Sequence, residues 1–119
     1  MSKFQTSNSF ESRRQTFENI RIQYPERIAI IVEPNENCRI RIDKNKFLVP
    51  SEMTMGHFIY EIRKHMKFEE YSNIFMFVAN NVIPSSNSTM SSLYSQYCDP
   101  DGFLYISYSQ ETSFGSRIF

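Results

Sequence analysis

The stretch Ile28-Ala29-Ile30-Ile31-Val32 decides the fold, because it is short, apolar throughout and rich in β-branched side chains. A run of this kind predicts a strand that is buried on both of its faces. Two later runs, Ile74-Phe75-Met76-Phe77-Val78 and Phe103-Leu104-Tyr105-Ile106-Ser107-Tyr108, predict two more buried strands. We therefore expect the three runs to lie in one sheet.

Helices are predicted on either side of the first run along the chain. The apolar face of the preceding helix is formed by Phe10, Phe17, Ile20 and Tyr24. Tyr24-Pro25 ends that helix, because the residue before a proline is pushed out of the helical region. The long helix that follows is capped by Thr54, and its apolar face comprises Met55, Phe58, Ile59, Ile62 and Met66. A shorter helix carries Met90, Leu93 and Tyr97, at spacings that place them on one face.

The segment between the first strand and the long helix predicts two extended stretches. In residues 38–42 Cys38, Ile40 and Ile42 alternate with Arg39 and Arg41, which predicts a half-buried strand that pairs with the first strand. Residues 46–50 are also predicted to be extended and stop at a proline. Residues 4–9, polar apart from Phe4, predict a short helical turn or a loose arm.

This order of elements predicts an α+β roll, one mixed sheet with a helix on its face. Ubiquitin has this β-grasp arrangement, and the helix before the first strand is additional. We expect residues 1–25 to form an N-terminal helical extension, 26–109 the ubiquitin-like β-grasp core and 110–119 a flexible C-terminal tail.

Charge is balanced in total and unbalanced along the chain. The 119 residues carry 13 basic and 13 acidic side chains, with 12 basic and 8 acidic in residues 1–67. The N-terminal part can therefore present a basic face to an acidic partner. A sequence pI of 6.7 argues against a strongly basic nucleic-acid-binding domain. No run approaches the roughly 20 apolar residues of a membrane span, and no signal peptide is evident, so we expect the cytoplasm.

No residue pattern supports an enzyme, a metal or a resident cofactor. Cys38 and Cys98 match no zinc spacing, and no serine lies in a nucleophile elbow. The two histidines, His57 and His65, are placed on the long helix, where a surface role is expected. The function is therefore sought in binding.

The C-terminal tail carries an aromatic-glycine pair, Phe114-Gly115, shortly after the last predicted strand. Glycine has no Cβ, so a chain that ends in glycine can pass through the narrow channels of processing and activating enzymes. Its carbonyl is also unhindered toward attack by a thiol or an amine. On a tail that follows a β-grasp domain, this pair is typical of a conjugated modifier. The alternative for a lone pair of this kind is an ordinary frayed terminus.

Six further stretches carry a specific resemblance. They are Phe10-Glu11-Ser12-Arg13-Arg14, Tyr24-Pro25-Glu26-Arg27-Ile28, Asp43-Lys44-Asn45-Lys46-Phe47-Leu48-Val49-Pro50, Phe58-Ile59-Tyr60-Glu61-Ile62-Arg63-Lys64, Asn80-Asn81-Val82-Ile83-Pro84 and Asp101-Gly102-Phe103-Leu104-Tyr105. Together they resemble the autophagy ubiquitin-like modifier family, that of GABARAP and the microtubule-associated protein light chains, over residues 4–115.

The resemblance implies a precursor that an autophagy cysteine protease cuts between Gly115 and Ser116. Activating and conjugating enzymes of the ubiquitin-like pathway would then pass Gly115, as a thioester, to the amine of phosphatidylethanolamine on autophagosomal membranes. Before lipidation the protein is expected to be monomeric. No other cofactor is implied.

The resemblance also implies β-augmentation by cargo receptors, in which an aromatic-x-x-aliphatic peptide adds to the edge of the second strand. Carried over by position, the first pocket uses Thr16, Ile20, Ala29, Ile31, Lys46, Leu48 and Phe103. The second pocket uses Phe47, Val49, Pro50, Met53, Phe58 and Ile62. Acidic residues that flank the peptide are expected to face Arg27, Lys44, Lys46 and His65.

Two readings of these residues stay open. Most of the apolar ones are also expected in the core, with Ile31, Phe58 and Ile62 partly exposed at a groove. The chain departs from the family at Ala29, Thr16 and His65, where proline, an acidic residue and arginine are common. The shape of the first pocket and the recognition of acidic flanking residues can therefore differ. An unconjugated trafficking or cytoskeletal adaptor that binds the same peptides is the alternative function.

Overall fold

The structure, a computed structural model, describes residues 2–36, 38–67, 73–79 and 81–110. Its helices are α1 (Lys3–Ser7), α2 (Phe10–Gln23), α3 (Met55–Arg63) and α4 (Met90–Tyr97). Its strands are β1 (Arg27–Pro34), β2 (Arg41–Ile42), β3 (Lys46–Pro50), β4 (Met66–Lys67), β5 (Phe75–Val78) and β6 (Leu104–Ser109). None of the described helices is both long and apolar enough to cross a bilayer.

Side-chain caps set where the helices begin. The hydroxyls of Ser9, Thr54 and Thr89 accept hydrogen bonds from backbone N–H groups in the first turns of α2, α3 and α4. These bonds satisfy donors that have no partner inside the helix. α2 ends at Gln23, before Tyr24-Pro25 as predicted. The polar arm forms the short helix α1, capped by Ser2.

The main sheet has the strand order β3-β1-β6-β5. β1 is parallel to β6 and antiparallel to β3, and β5 is antiparallel to β6. The chain's first and last long strands therefore lie side by side in the middle of a mixed sheet. This confirms the α+β, ubiquitin-like fold with a helical extension at the N-terminus.

The predicted pairing of residues 38–42 with the first strand is wrong. β1 pairs with β3, with Ala29 opposite Leu48, whereas Arg41 and Ile42 pair with β4 in a separate two-stranded ladder. β3 supplies apolar side chains to both faces of the sheet, Phe47 and Val49 to one and Leu48 to the other, whereas residues 38–42 have apolar side chains on one face only. The predicted alternation itself is present, because Ile40 is buried while both arginines are exposed.

The sheet separates two clusters of buried side chains. The main core lies between the sheet, α3 and α4, with Ile30, Val32, Ile40, Val49, Met55, Phe58, Ile62, Met66, Met76, Val78, Met90, Leu93, Leu104, Ile106 and Tyr108 buried. The other, here called the α2-face cluster, buries Phe17, Ala29, Ile31 and Phe103. Burial of residues 29–32 confirms that the run that decides the fold is covered on both faces.

Two predictions about the long helix need correction. α3 ends at Arg63, so Met66 and His65 lie beyond it. Met66 still contributes to the main core from β4, and His65 lies in the turn between α3 and β4. The proposed boundaries at residues 25 and 109 stay predictions, and the tail after Gln110 lies outside the described residues.

Candidate functional site

β3 is an edge strand, and it carries the candidate site. It pairs with β1 on one side, and no strand of the described part of the chain covers its other edge. An edge strand presents backbone N–H and C=O groups that a further strand can pair with. The site that the resemblance implies is thus available to an extended peptide.

The two predicted pockets lie on opposite faces of β3. Lys46 and Leu48 are opposite Ile31 and Ala29 of β1, on the side of α2. Phe47 is opposite Ile30, and both belong to the side of the main core. Because neighbouring side chains of a strand point to opposite faces, a peptide added to β3 reaches both sides of the sheet.

On the α2 side, the structure brings together five of the seven predicted residues of the first pocket. Ile20, Ala29, Ile31, Leu48 and Phe103 all belong to the α2-face cluster. Thr16 and Lys46 are exposed beside it. Ala29, Ile31 and Phe103 are no more than 3% exposed, so they form the floor of the site, while Ile20 and Leu48 offer accessible apolar surface.

On the other side, Phe47, Val49, Met53, Phe58 and Ile62 of the predicted second pocket all belong to the main core. Pro50 is exposed at the end of β3. The expectation that Ile31, Phe58 and Ile62 are partly exposed is wrong, since none is more than 1% exposed. They are covered because each lies in a closely packed layer, and Phe47 and Met53 supply the accessible surface instead.

Positive charge lies at both ends of β3. At the Pro50 end, Nη1 of Arg27 donates a hydrogen bond of 3.4 Å to the Leu48 carbonyl. At the other end, Nζ of Lys44 lies 5.0 Å from the centre of the Phe47 ring, and the His65 ring packs edge-on to Phe47 at 5.5 Å. The residues expected to face acidic flanks therefore surround the edge strand.

His65 has an internal partner that the sequence did not indicate. Its Nδ1 lies 2.9 Å from a carboxylate oxygen of Asp43, and the Asp43 N–H donates to the His65 carbonyl. No local pattern relates these positions, because they come from the β2–β3 connection and the turn after α3. Any acidic flank must therefore compete with Asp43 for the His65 ring.

Phe4 is a second residue that the sequence analysis missed. Its ring packs edge-on to Phe103 with centroids 5.4 Å apart, and Nζ of Lys46 lies 5.4 Å from the Phe4 centroid. α1 thus lies against the first pocket, with Lys46 held at its margin. The available signal was that Phe4 is the one apolar residue in an otherwise polar arm.

A buried ion pair holds α2 over the sheet. Nε of Arg13 lies 2.8 Å from Asp101, which also accepts hydrogen bonds from the Tyr105 hydroxyl and the Phe103 N–H. Burial, and then the bond to Asp101, raise the pKa of Tyr105 well above its ordinary value. Arg13 also donates to backbone carbonyls of α1 and of the link to α2. We call Arg13, Asp101 and Tyr105 the clasp.

Gly102 allows α2 to approach the sheet. Its φ of +102° is in the region that favours glycine, and a Cβ there would lie 2.2 Å from Cδ2 of Phe17. A cavity of 340 Å³ lies next to this contact, and its walls include Ile20, Arg27 and Ala29. α2 therefore forms one wall of the first pocket at a distance that Gly102 permits.

Within the described ranges, no three His, Cys, Asp or Glu residues are grouped so as to hold a metal ion. Cys38 is half-buried against the main core and Cys98 is exposed after α4. Phe114, Gly115 and Ser116, the predicted conjugation and cleavage residues, lie outside the described residues.

Comparison with known proteins gives one consistent result. The family model described as "Autophagy protein Atg8 ubiquitin like" matches residues 12–115. Autophagy-related protein 8e of Arabidopsis thaliana is 47% identical over 114 residues, covering 95% of this chain and 93% of its own length. Autophagy-related protein 8 of Dictyostelium discoideum is 46% identical over 121 residues, covering 99% of this chain and 98% of its own.

Solved structures agree. The crystal structure of Trypanosoma brucei ATG8 superposes with a TM-score of 0.85 at 40% identity, covering 97% of this chain and 99% of that one. Plasmodium falciparum Atg8, in complex with a peptide of Plasmodium falciparum Atg3, gives 0.84 at 35% identity, covering 94% and 98%.

Proposed function

Because the chain belongs to the Atg8 family of ubiquitin-like autophagy proteins, we propose that it is a lipid-conjugated modifier that docks peptides on autophagosomal membranes. It is cut after Gly115, joined to phosphatidylethanolamine and bound by cargo receptors along β3. In this role it is a substrate of conjugating enzymes rather than an enzyme. The family match, which extends to residue 115, supports the proposal.

The chemistry of conjugation takes place at the Gly115 carbonyl. Hydrolysis of the Gly115–Ser116 amide by the protease gives a carboxylate at Gly115. After activation, that carbonyl is bonded to a cysteine sulfur of the conjugating enzyme. The lipid amine attacks the carbonyl, the C–S bond breaks and an amide forms, and the thiol is released. Lipidation adds two acyl chains in one step, which is what stable membrane anchoring requires.

The observation that supports docking is the position of β3 between two apolar surfaces. A peptide paired with this edge places one side chain toward Ile20 and Leu48, and its next-but-two neighbour toward Phe47 and Met53 on the other face. Arg27, Lys44, Lys46 and His65 supply charge around the strand. The complex of Plasmodium falciparum Atg8 with an Atg3 peptide supports the conjugating enzyme as a second proposed partner.

Conjugation is tested by changing Gly115→Ala in the full chain and following lipidation in cells by gel mobility and membrane fractionation. We expect the lipidated form to disappear, because a Cβ at residue 115 hinders processing and transfer. Ser116→Ala is the matched control, since it lies in the released segment, and it should conjugate normally. A membrane-associated form that persists in Gly115→Ala would refute conjugation and favour the unconjugated adaptor.

Docking is tested by Leu48→Ala, with binding of a synthetic aromatic-x-x-aliphatic peptide with acidic flanks measured by calorimetry. Loss of accessible apolar surface in the first pocket should weaken the affinity about tenfold. Ile22→Ala is the control, because Ile22 is also apolar but 78% exposed on α2. Equal affinities for Leu48→Ala and the wild type would place peptide binding elsewhere.

A further inference from the structure

Two arginines, Arg41 in β2 and Arg39 just before it, do not belong to the proposed docking site. Arg39 and Arg41 are exposed, and neither has an acidic or hydrogen-bonding partner among the described residues. Their direction is fixed, because Ile40 between them is 6% exposed and belongs to the main core. The Tyr108 hydroxyl donates a 2.6 Å hydrogen bond to the Ile40 carbonyl and ties this segment to β6.

Arg41 lies in β2, and its backbone is the register partner of Lys67 in the ladder with β4. Since Arg39 and Arg41 are two residues apart on either side of the buried Ile40, they lie on the same face of the segment. They therefore place two positive charges, without an acidic partner among the described residues, where an anion can bind.

The segment with Arg39 and Arg41 lies near the C-terminal end of β6, the last strand before the tail. Pro34 and Tyr108 are register partners, and the Asn35 N–H donates to the Tyr108 carbonyl. The C-terminal end of β6 is therefore beside the segment that carries Arg39 and Arg41. The clasp and the beginning of β6 lie at the opposite end.

The tail length sets how far this end can lie from a bilayer. Gly115 is five residues after Gln110. Five residues span at most about 17 Å when fully extended, and the Debye length at physiological salt is about 8 Å. A domain tethered through Gly115 therefore has its β2–β4 end within about two Debye lengths of the lipid headgroups, and this end can approach them closely enough for electrostatic attraction.

We propose that Arg39 and Arg41 form a membrane-facing basic surface that binds anionic lipid headgroups once the C-terminal tail is anchored. The proposal rests on the proposed lipidation, and it adds the orientation of the domain and a preference for anionic membranes. The Asp43 carboxylate lies 2.9 Å from Nδ1 of His65 and makes no ion pair with either arginine among the described residues. Asp43 and Glu36 are the exposed acids nearest in sequence to Arg41 and Arg39, and Glu69 and Glu70 lie outside the described residues.

The test tethers the chain at the proposed attachment point without using conjugation. A polyhistidine tag placed directly after Gly115, in place of residues 116–119, anchors the protein to vesicles of phosphatidylcholine with a nickel-chelating lipid, with or without phosphatidylserine. The apparent affinity is measured by flotation at low and high salt. Each basic residue near an anionic surface contributes about fivefold, so the double variant Arg39→Gln/Arg41→Gln should lose about 25-fold on phosphatidylserine vesicles at low salt.

The control variant, Arg14→Gln/Arg21→Gln, changes the net charge equally on α2. Arg14 donates to the Pro100 carbonyl, which places it at the end of the molecule away from the tail. The control should retain the gain from phosphatidylserine, and high salt should abolish that gain for every protein. An equal loss in both double variants, or no effect of phosphatidylserine on the wild type, would overturn the membrane-facing surface. Neither result depends on the Gly115→Ala experiment, so the membrane-facing surface and the proposed lipidation can be refuted independently.

Discussion

The two faces of the sheet are built differently. Fifteen residues are buried in the main core against only four in the α2-face cluster, within the described part of the chain. The main core is closed by apolar packing of α3 and α4. The α2 face is closed by the clasp and by aromatic contacts of Phe4 and Phe17 with Phe103. Stability is thus concentrated on one face, while the other depends on a few specific contacts.

This difference matters for binding, because the proposed peptide site touches both faces. Residues of the second pocket are anchored in the main core, so their positions are set by global folding. Residues of the first pocket depend on where α2 lies. We expect the first pocket to open and close locally, at a lower free energy than global unfolding, since few buried contacts hold it.

The largest effect is expected from Phe58→Ala. Phe58 is 1% exposed in the main core, and truncating a buried phenylalanine costs about 3–5 kcal/mol. The whole domain should lose stability, seen as a lower midpoint in urea unfolding with all probes coinciding. Phe17→Ala is the counterpart on the other face. It should accelerate hydrogen exchange of α2 and leave the exchange of β1 and β6 protected; uniform acceleration would show that the two faces are one cooperative unit.

A smaller effect is expected from Asp101→Asn, which tests the clasp. Asp101 is 0% exposed, and removal of one partner of a buried pair leaves Arg13 without its counter-charge, at about 3 kcal/mol. The loss should appear as faster exchange in α1 and α2. Glu18→Gln is the control, because its pairs with Arg14 and Arg21 are on the surface and contribute less than about 1 kcal/mol. Similar hydrogen exchange in the two variants would show that the clasp does not hold α1 and α2 in place.

The smallest effect concerns alkaline pH. Burial raises the pKa of Tyr108, in the main core, to about 12, so the folded protein keeps a proton that the unfolded chain loses near pH 10. Between pH 10 and 12 the free energy of unfolding should fall by about 1.4 kcal/mol per pH unit from this residue. Stability from this source is fully present below pH 10.

Tyr108→Phe should make the pH dependence of unfolding shallower in that range, measured by urea titrations at several pH values. Below pH 10 it should lower stability by about 1 kcal/mol, because the Ile40 carbonyl loses its donor, and this deficit should shrink as the pH rises above 10. A residual slope is expected from Tyr105, whose pKa is raised on the other face. If Tyr108→Phe keeps the full wild-type slope, the titration belongs to other groups.

Local signals in the sequence predicted what is local in the structure. The cap at Thr54 and the stop before Pro25 depend on neighbouring residues, so they were predictable. The partner of β1 was not, because pairing joins segments far apart. The alternation of residues 38–42 indicates a half-buried strand but does not identify its neighbour. β3 pairs with β1 because it has apolar side chains on both faces, which residues 38–42 do not.

The family resemblance predicted which residues lie near one another around β3, and it did not predict how exposed they are. The family resemblance assigned residues of β3 and α2 by position, and the structure places these on two faces of one edge strand. How deeply Phe58 and Ile62 lie depends on layers contributed by the whole chain. The contacts of His65 with Asp43 and of Phe4 with Lys46 join distant segments, so no periodicity indicates them.

The place of β6 also has a consequence for the order of events during synthesis. Ile30 pairs with Leu104, so the strand at the centre of the sheet is among the last segments to leave the ribosome. β1 has to wait for it with one edge unpaired, and such long-range pairing is intrinsically slow. The tail that follows β6 emerges later still. When Gly115 emerges, every strand of the sheet has therefore already been synthesised, so the proposed modification can follow only after the whole sheet is available for folding.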